Sequence, residues 1–288
     1  MKQVLLGLLC AALCMCAMNA NQRTLTKEEV KLAQECKNNN MQSCTQYLTI
    51  LCGRGGSPEA CGTLANIYYD GDGVVANLLK AKTLYEKSCN AGYAEACLSL
   101  GKMYYNGEGL EQDFIKAKLF FEKACSKKIG LGCNNLGVLY NEGQGVEQDF
   151  MKAKKYYEWA CNNGNAVGCS NLGGLYKNAQ GTKRDFMKAK FFFEKACNAQ
   201  ESAGCFGLGL LYYHGQGVGQ NFVRAKSLFE KACSNGFAGG CANLGVLYYN
   251  AQGVRLDIKI AKEYYGKACD LGLQHGCDVY KDLQQQGY

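Results

Sequence analysis

The sequence has very little proline and histidine. Its 288 residues include one proline, Pro58, and two histidines, His214 and His275. Proline interrupts helices because it lacks a backbone N–H and its ring clashes with the preceding turn. Its near-absence therefore leaves most of the chain free to be helical. Two lone histidines exclude a zinc-type β-lactamase, and we predict neither a metal nor a cofactor.

Charge is also sparse. Charged residues make up 20% of the chain, and the formal net charge is +7. The lysines recur at fixed positions among acidic residues, a pattern typical of a solvated face and not of a nucleic-acid patch. We therefore expect no nucleic-acid partner. The hydrophobic share of 48% is ample for a packed core, which argues against disorder.

No hydrophobic run is long enough to span a membrane. The apolar run from Val4 to Ala17 follows Lys2 and is shorter than the ~20 residues that a span needs. A positive residue, a short apolar run and a small residue, Ala20, are typical of a cleaved export signal. We predict that residues 1–20 are a signal peptide. The mature chain would then be secreted, either periplasmic or extracellular, without a membrane span.

Cysteine, in contrast, is abundant: there are 19, of which 16 follow the predicted signal. These 16 form pairs that lie eight residues apart, or nine in one case, and from Cys89 onward the pairs recur every 36 residues. Zinc sites use shorter C-x-x-C spacings, and an even cysteine count in an exported chain favours disulfides. The predicted bridges are Cys36–Cys44, Cys52–Cys61, Cys89–Cys97, Cys125–Cys133, Cys161–Cys169, Cys197–Cys205, Cys233–Cys241 and Cys269–Cys277.

Each 36-residue period has the pattern of two helices. In the segment 133–161, Leu136, Leu139 and Tyr140 share one helical face, and a glycine-rich break follows. Asp149 is a typical N-cap for the second helix. Two helices joined by a short turn pack as an antiparallel hairpin, so the sequence predicts an all-α solenoid of about seven disulfide-linked helix pairs.

Two small residues recur at fixed positions within the periods. A glycine follows the leucine of the first helix, and an alanine recurs on the second helix. A glycine inside a helix costs ~1 kcal/mol relative to alanine, so its repetition indicates a close approach of backbones. We expect the glycines to face the alanines. The two series are Gly101, Gly137, Gly173, Gly209 and Gly245, and Ala81, Ala117, Ala153, Ala189, Ala225 and Ala261.

The L-G-x-x-Y first helix, the G-x-G turn and the A-x-x-x-[FY]-E-K-A-C second helix resemble the Sel-one-like subgroup of tetratricopeptide-type repeats. The cysteine spacing resembles that of the Helicobacter cysteine-rich proteins. The resemblance implies a right-handed superhelix whose first helices line a concave face. The turn departs from the pattern at residues 179–181 and 251–253, where Ala-Gln-Gly replaces G-x-G. We divide the chain into the signal (1–20), a shortened N-terminal helix pair (21–60), six repeats (61–276) and a C-terminal capping helix (277–288).

Three positions of each first helix vary between repeats and lie one helical turn apart. In tetratricopeptide-type repeats the corresponding stripe contacts ligand peptides. Aromatic residues clustered on a solvent face indicate a covered surface. We therefore predict that a monomer binds a peptide, a host protein or a cell-wall fragment through this stripe. The predicted binding residues are Leu98, Lys102, Tyr105, Asn134, Asn141, Lys177, Phe206, Leu210, Tyr213 and Tyr249.

The alternative function comes from the resemblance, which implies penicillin binding and weak β-lactamase activity. A serine β-lactamase needs S-x-x-K, S-D-N and K-T-G elements around one pocket. The chain offers Ser99 and Lys102 in one S-x-x-K, and it contains neither of the other two elements. These two residues are the catalytic candidates for hydrolysis of a β-lactam.

Overall fold

The computed structural model describes residues 25–54 and 56–288. The predicted signal peptide lies outside these residues. Within them the chain forms fifteen α-helices and no strand, which confirms the all-α prediction. The helices are α1 (Lys27–Lys37), α2 (Met41–Arg54), α3 (Pro58–Asp70), α4 (Leu78–Asn90), α5 (Ala94–Asn106), α6 (Phe114–Ser126), α7 (Gly130–Glu142), α8 (Phe150–Asn162), α9 (Ala166–Asn178), α10 (Phe186–Asn198), α11 (Ser202–His214), α12 (Phe222–Ser234), α13 (Ala238–Tyr249), α14 (Ile258–Asp270) and α15 (Gln274–Gln285).

The helices fall into two compact units, residues 1–129 and residues 130–288. The first unit contains α1 to α6, and the second contains α7 to α15. In the second unit a continuous core contains leucines of the first helices, such as Leu172 and Leu211, and aromatic residues of the second helices, such as Phe193 and Phe229. Since all four side chains are buried, each helix pair is held by its apolar stripe against its partner.

The second helices begin at side-chain caps. The Asp149 and Asp185 carboxylates each accept the backbone N–H three residues further on, at 2.9 Å. Asn77, Asp113, Asn221 and Asp257 do the same at the start of their helices. An N-cap of this kind is worth ~1 kcal/mol because it satisfies a backbone donor that the helix leaves unpaired. The predicted capping role of Asp149 agrees with the structure.

The turn within each pair depends on the left-handed backbone conformation. Gly107 and Gly215 end their helices at φ +72° and +68°. Where the sequence departs from glycine, Ala179 takes the same conformation at φ +60° and Ala251 takes it at +54°. The turn therefore has the same backbone conformation where alanine replaces glycine, although this conformation disfavours residues that have a Cβ atom.

Within each unit, disulfides connect consecutive helices. Seven bridges are formed between the predicted partners, with Cα–Cα distances from 4.4 to 4.8 Å. Cys125 and Cys133 each form a disulfide as well. Each bridge closes a loop of eight or nine residues, which in the chain-entropy model is worth ~2–3 kcal/mol. Disulfides persist in oxidising environments, so the chain belongs in an extracytoplasmic compartment.

We predicted that the recurring glycines face the recurring alanines, and this prediction was wrong. A Cβ atom on Gly173 would lie 2.8 Å from Cδ1 of Phe193, and one on Gly209 would lie 2.6 Å from Cε1 of Phe229. Gly101, Gly137 and Gly245 meet Phe121, Tyr157 and Tyr265 in the same way. The alanines are fully buried, but the space above each glycine is filled by an aromatic ring. The glycine is therefore needed because a flat ring lies against the first helix.

Candidate binding groove

A groove opens in the second unit along the first helices α9 and α11. It contains a cavity of about 270 Å³ and an adjoining cavity of about 330 Å³, which share Lys177, Asn178 and Leu210. Four predicted binding residues line the first cavity: Asn141, Lys177, Phe206 and Leu210. The structure thus brings residues from three successive repeats to one place.

One side of the groove is polar. Ser170, Asn171 and Gln180 line the first cavity together with Asn141. The Asn171 amide donates to the Asn134 side-chain oxygen at 2.9 Å, which links neighbouring first helices and orients both amides. Asn134 is itself buried and does not line the cavity. It acts as a support for Asn171 and not as the exposed contact that we predicted.

The groove has a cationic centre. Lys177 is half-buried, and the loss of water around it lowers the pKa of its ammonium group. It forms no ion pair within the described residues. The adjoining cavity adds Arg184 and His214, and no carboxylate lines either cavity. A desolvated ammonium group without a counter-ion favours an anionic ligand.

The apolar side of the groove is more buried than the sequence predicted. Phe206 packs against Phe229 and Phe237, with ring centroids 5.8 and 4.9 Å away. Tyr213 contacts Phe222 at 5.4 Å, and its hydroxyl donates to Gln252 at 2.9 Å. Both side chains are half-buried and pack against the core. The aromatic cluster is therefore less exposed than the sequence predicted, because rings of α12 and the ring of Phe237, at the N-terminus of α13, partly cover it.

The other predicted binding residues lie apart from the cavity. Tyr249 is exposed at the end of α13 and does not line it. In the first unit, Leu98 is half-buried and Lys102 is exposed. Tyr105 is half-buried and has its ring against Phe114 at 5.3 Å. Of the predicted stripe, only the residues Asn141, Lys177, Phe206 and Leu210 of the second unit therefore line the first cavity.

The predicted catalytic residues lie in the first unit. Ser99 is half-buried beside Tyr85, whose hydroxyl donates to the Asn66 side-chain oxygen and whose pKa is raised chiefly by burial. Lys102 is exposed, and within the described residues it forms no hydrogen bond with Ser99. The described residues thus place no base in a hydrogen bond with Ser99, as a serine nucleophile would need.

In the part of the chain that the structure describes, histidine, cysteine and acidic side chains nowhere gather into a group of three that could hold a metal ion. None of its helices is long and apolar enough to cross a bilayer.

Sequence reasoning missed several groove residues. Asn171 lies two residues after the first-helix cysteine, where asparagine also occurs as Asn135 and Asn243. This recurrence could have marked Asn171 as a groove residue, but its position is not one of the three variable positions from which we predicted the stripe. Asn178 is the last residue of α9 and Gln180 belongs to the turn after it, and nothing in the repeat pattern marks them.

The helix pairs, their 36-residue period and their glycine turns match one family model along most of the chain. The Sel1 repeat model matches six times, at residues 58–93, 94–128, 130–165, 166–200, 202–237 and 238–273. The chain belongs to the Sel1 repeat family. The predicted Sel-one-like resemblance is thereby confirmed. No curated protein matches the sequence.

Solved structures show the same Sel1 repeat architecture. The Sel1 repeat protein from Oxalobacter formigenes is 21% identical with a TM-score of 0.75, over 85% of this chain and 97% of that one. The protective antigen c5321 of uropathogenic Escherichia coli is 27% identical with a TM-score of 0.73, over 86% of this chain. The match spans 52% of that antigen's length. Helicobacter pylori cysteine rich protein B is 32% identical over 48% of this chain and 98% of its own, with a TM-score of 0.38.

Proposed function

We propose that this Sel1 repeat protein is an exported binding protein that holds an extended peptide in the groove of its second unit. The observation that carries the proposal is the convergence of Asn141, Lys177, Phe206 and Leu210 on one cavity. These residues come from three repeats and combine an amide, a cation and an apolar wall. A few polar groups within an apolar cleft are typical of a ligand site.

The size of the groove favours a peptide over a larger rigid ligand. Each cavity has room for one or two side chains, and the two cavities follow each other along α9 and α11. Lys177 lies where they meet. An acidic side chain or a terminal carboxylate would fit there, with an apolar side chain against Leu210 and Phe206. Binding would replace the lost hydration of the Lys177 ammonium group, so it would raise the pKa that burial has lowered.

A selection from a random peptide library on the oxidised protein tests this function. We expect the selected peptides to share an acidic residue next to an apolar one, and to bind the Lys177→Gln variant ~10-fold or more weakly, since a charge-assisted hydrogen bond is worth ~1.5–3 kcal/mol. Lys102→Gln, an exposed lysine in the first unit, is the matched control and should bind as the parent does. Peptides without an acidic residue, or equal binding by both variants, would refute the groove as the site.

A further inference from the structure

The second helices of the second unit carry exposed apolar side chains on their outer surface. Met187 and Phe191 lie one turn apart on α10 and are 62% and 60% exposed. Met151 on α8 and Val223 on α12 occupy the same helical position as Met187 and are 63% and 65% exposed. We call these four residues the outer patch. Each of the four is at least 60% exposed, and the Phe191 ring also contacts the ring of Phe192, with centroids 5.1 Å apart.

The members of the outer patch lie on neighbouring helices. The Lys195 ammonium group near the end of α10 donates to the Cys161 carbonyl near the end of α8, at 3.2 Å. At the other end, a Cβ atom on Gly217 would lie 2.6 Å from Cβ of Phe186, at the start of α10. Gly253 approaches Phe222 of α12 at 2.7 Å in the same way. Consecutive repeats are therefore in contact at both ends, and the patch runs across them.

Positive charge predominates in the part of the sequence that carries Met187, Phe191 and Val223. Residues 183–231 contain eight lysines and arginines and four carboxylates. Every one of these carboxylates is engaged: Asp185 and Glu201 cap helices, and Glu194 and Glu230 pair with lysines one turn away at 3.5 and 3.1 Å. Within the described residues, five of the basic side chains form no ion pair: Lys183, Arg184, Lys195, Arg224 and Lys231.

We propose that the outer patch docks on an anionic lipid surface, with Met187, Phe191 and Val223 inserted among the acyl chains and the basic residues against the headgroups. Peripheral binding grows with the apolar area that is buried and with the attraction between basic residues and anionic lipids. A polyanion such as a nucleic acid would gain nothing from the exposed methionines and phenylalanine. None of the four residues of the outer patch lines either cavity, so this proposal does not depend on the peptide site.

Vesicle flotation of the full oxidised chain tests the proposal. We expect binding to vesicles that contain phosphatidylglycerol, little binding to pure phosphatidylcholine, and weaker binding at high salt because the headgroup attraction is screened. The double variant Met187→Ser, Phe191→Ser should bind ~10-fold or more weakly. Since both side chains are exposed, its urea unfolding should match that of the parent.

The matched control is Ile115→Ser. Ile115 is 69% exposed at the same helical position in the first unit, but residues 111–123 there have three basic and three acidic side chains. This variant should bind vesicles as the parent does. Absence of binding to anionic vesicles, equal binding to both lipids, or equal loss in both variants would overturn the proposal. Self-association of the parent without lipid that the double variant abolishes would also overturn it, because the patch would then bind a second copy of the chain.

Discussion

Two adjacent glycines on α9, Gly173 and Gly174, allow a sharp test of how the repeats are packed. A Cβ atom on Gly173 would lie 2.8 and 2.9 Å from two ring carbons of Phe193, which is itself buried. A Cβ atom on Gly174 would have nothing within 4 Å. Both residues lie inside the same helix, so replacement by alanine brings the same gain in helix propensity, ~0.5–1 kcal/mol.

Gly174→Ala should therefore stabilise the protein by that amount. Gly173→Ala adds an overpacking penalty of ~1–3 kcal/mol, so it should destabilise the protein by ~0.5–2 kcal/mol. The difference between the two variants isolates the contact with the ring, because the propensity gain cancels. At ~2–4 °C per kcal/mol for a chain of this size, the melting temperatures should move in opposite directions.

Urea unfolding of both variants, with the disulfides oxidised, measures this difference. A double-mutant cycle with Phe193→Leu should show that Gly173→Ala is less destabilising once the ring is removed, with a coupling energy of at least ~0.5 kcal/mol. If both alanine variants stabilise the protein equally, the ring moves aside freely, and glycine does not set the spacing of the helices.

Two further predictions concern a turn and a tyrosine. Ala179→Gly should raise the free energy of unfolding by ~1–2 kcal/mol, because Ala179 lies at φ +60° and glycine removes the Cβ clash. Urea unfolding measures this change. The control Ala199→Gly, at a helix end with φ −85°, should not raise the free energy of unfolding. The Tyr69 hydroxyl donates to Glu108, and this bond, with burial and the nearby charge, raises the pKa of Tyr69 to about 12. The resulting stability is present below the unfolded tyrosine pKa of ~10 and is lost as pH rises through 12. An ultraviolet titration of the phenol should therefore show that Tyr69 ionises late. The Glu108→Gln variant should shift this ionisation to lower pH.

The sequence was most informative where the signal is local. The cap at Asp149, the turn at Gly107 and the spacing of Cys197 from Cys205 each involve residues within about two helical turns, and the structure agrees with all of them. Such features depend on backbone donors and short loops, whose geometry is the same in each repeat. Because the sequence repeats every 36 residues, each local prediction applies to several repeats.

It was harder to predict which side chains face solvent and which face the core. Phe206 varies between repeats and therefore resembled a solvent contact, yet Phe229 on α12 and Phe237 just before α13 partly cover it. The glycine–alanine pairing failed for the same reason, since two small residues in register do not show which larger side chain lies between their helices. Gln180, which helps to complete the groove, belongs to a turn whose position depends on how successive repeats stack.

The local spacing of the cysteines has a consequence for how the protein matures. In every bridge from Cys36–Cys44 to Cys269–Cys277 that the structure describes, the partner is the next cysteine along the sequence. A chain that enters an oxidising compartment from its N-terminus therefore exposes each thiol and its partner almost together. Oxidation in order of arrival gives the native pairing, and no long-range bridge has to wait for the C-terminus. Sixteen cysteines can thus be connected correctly without a later reshuffling step.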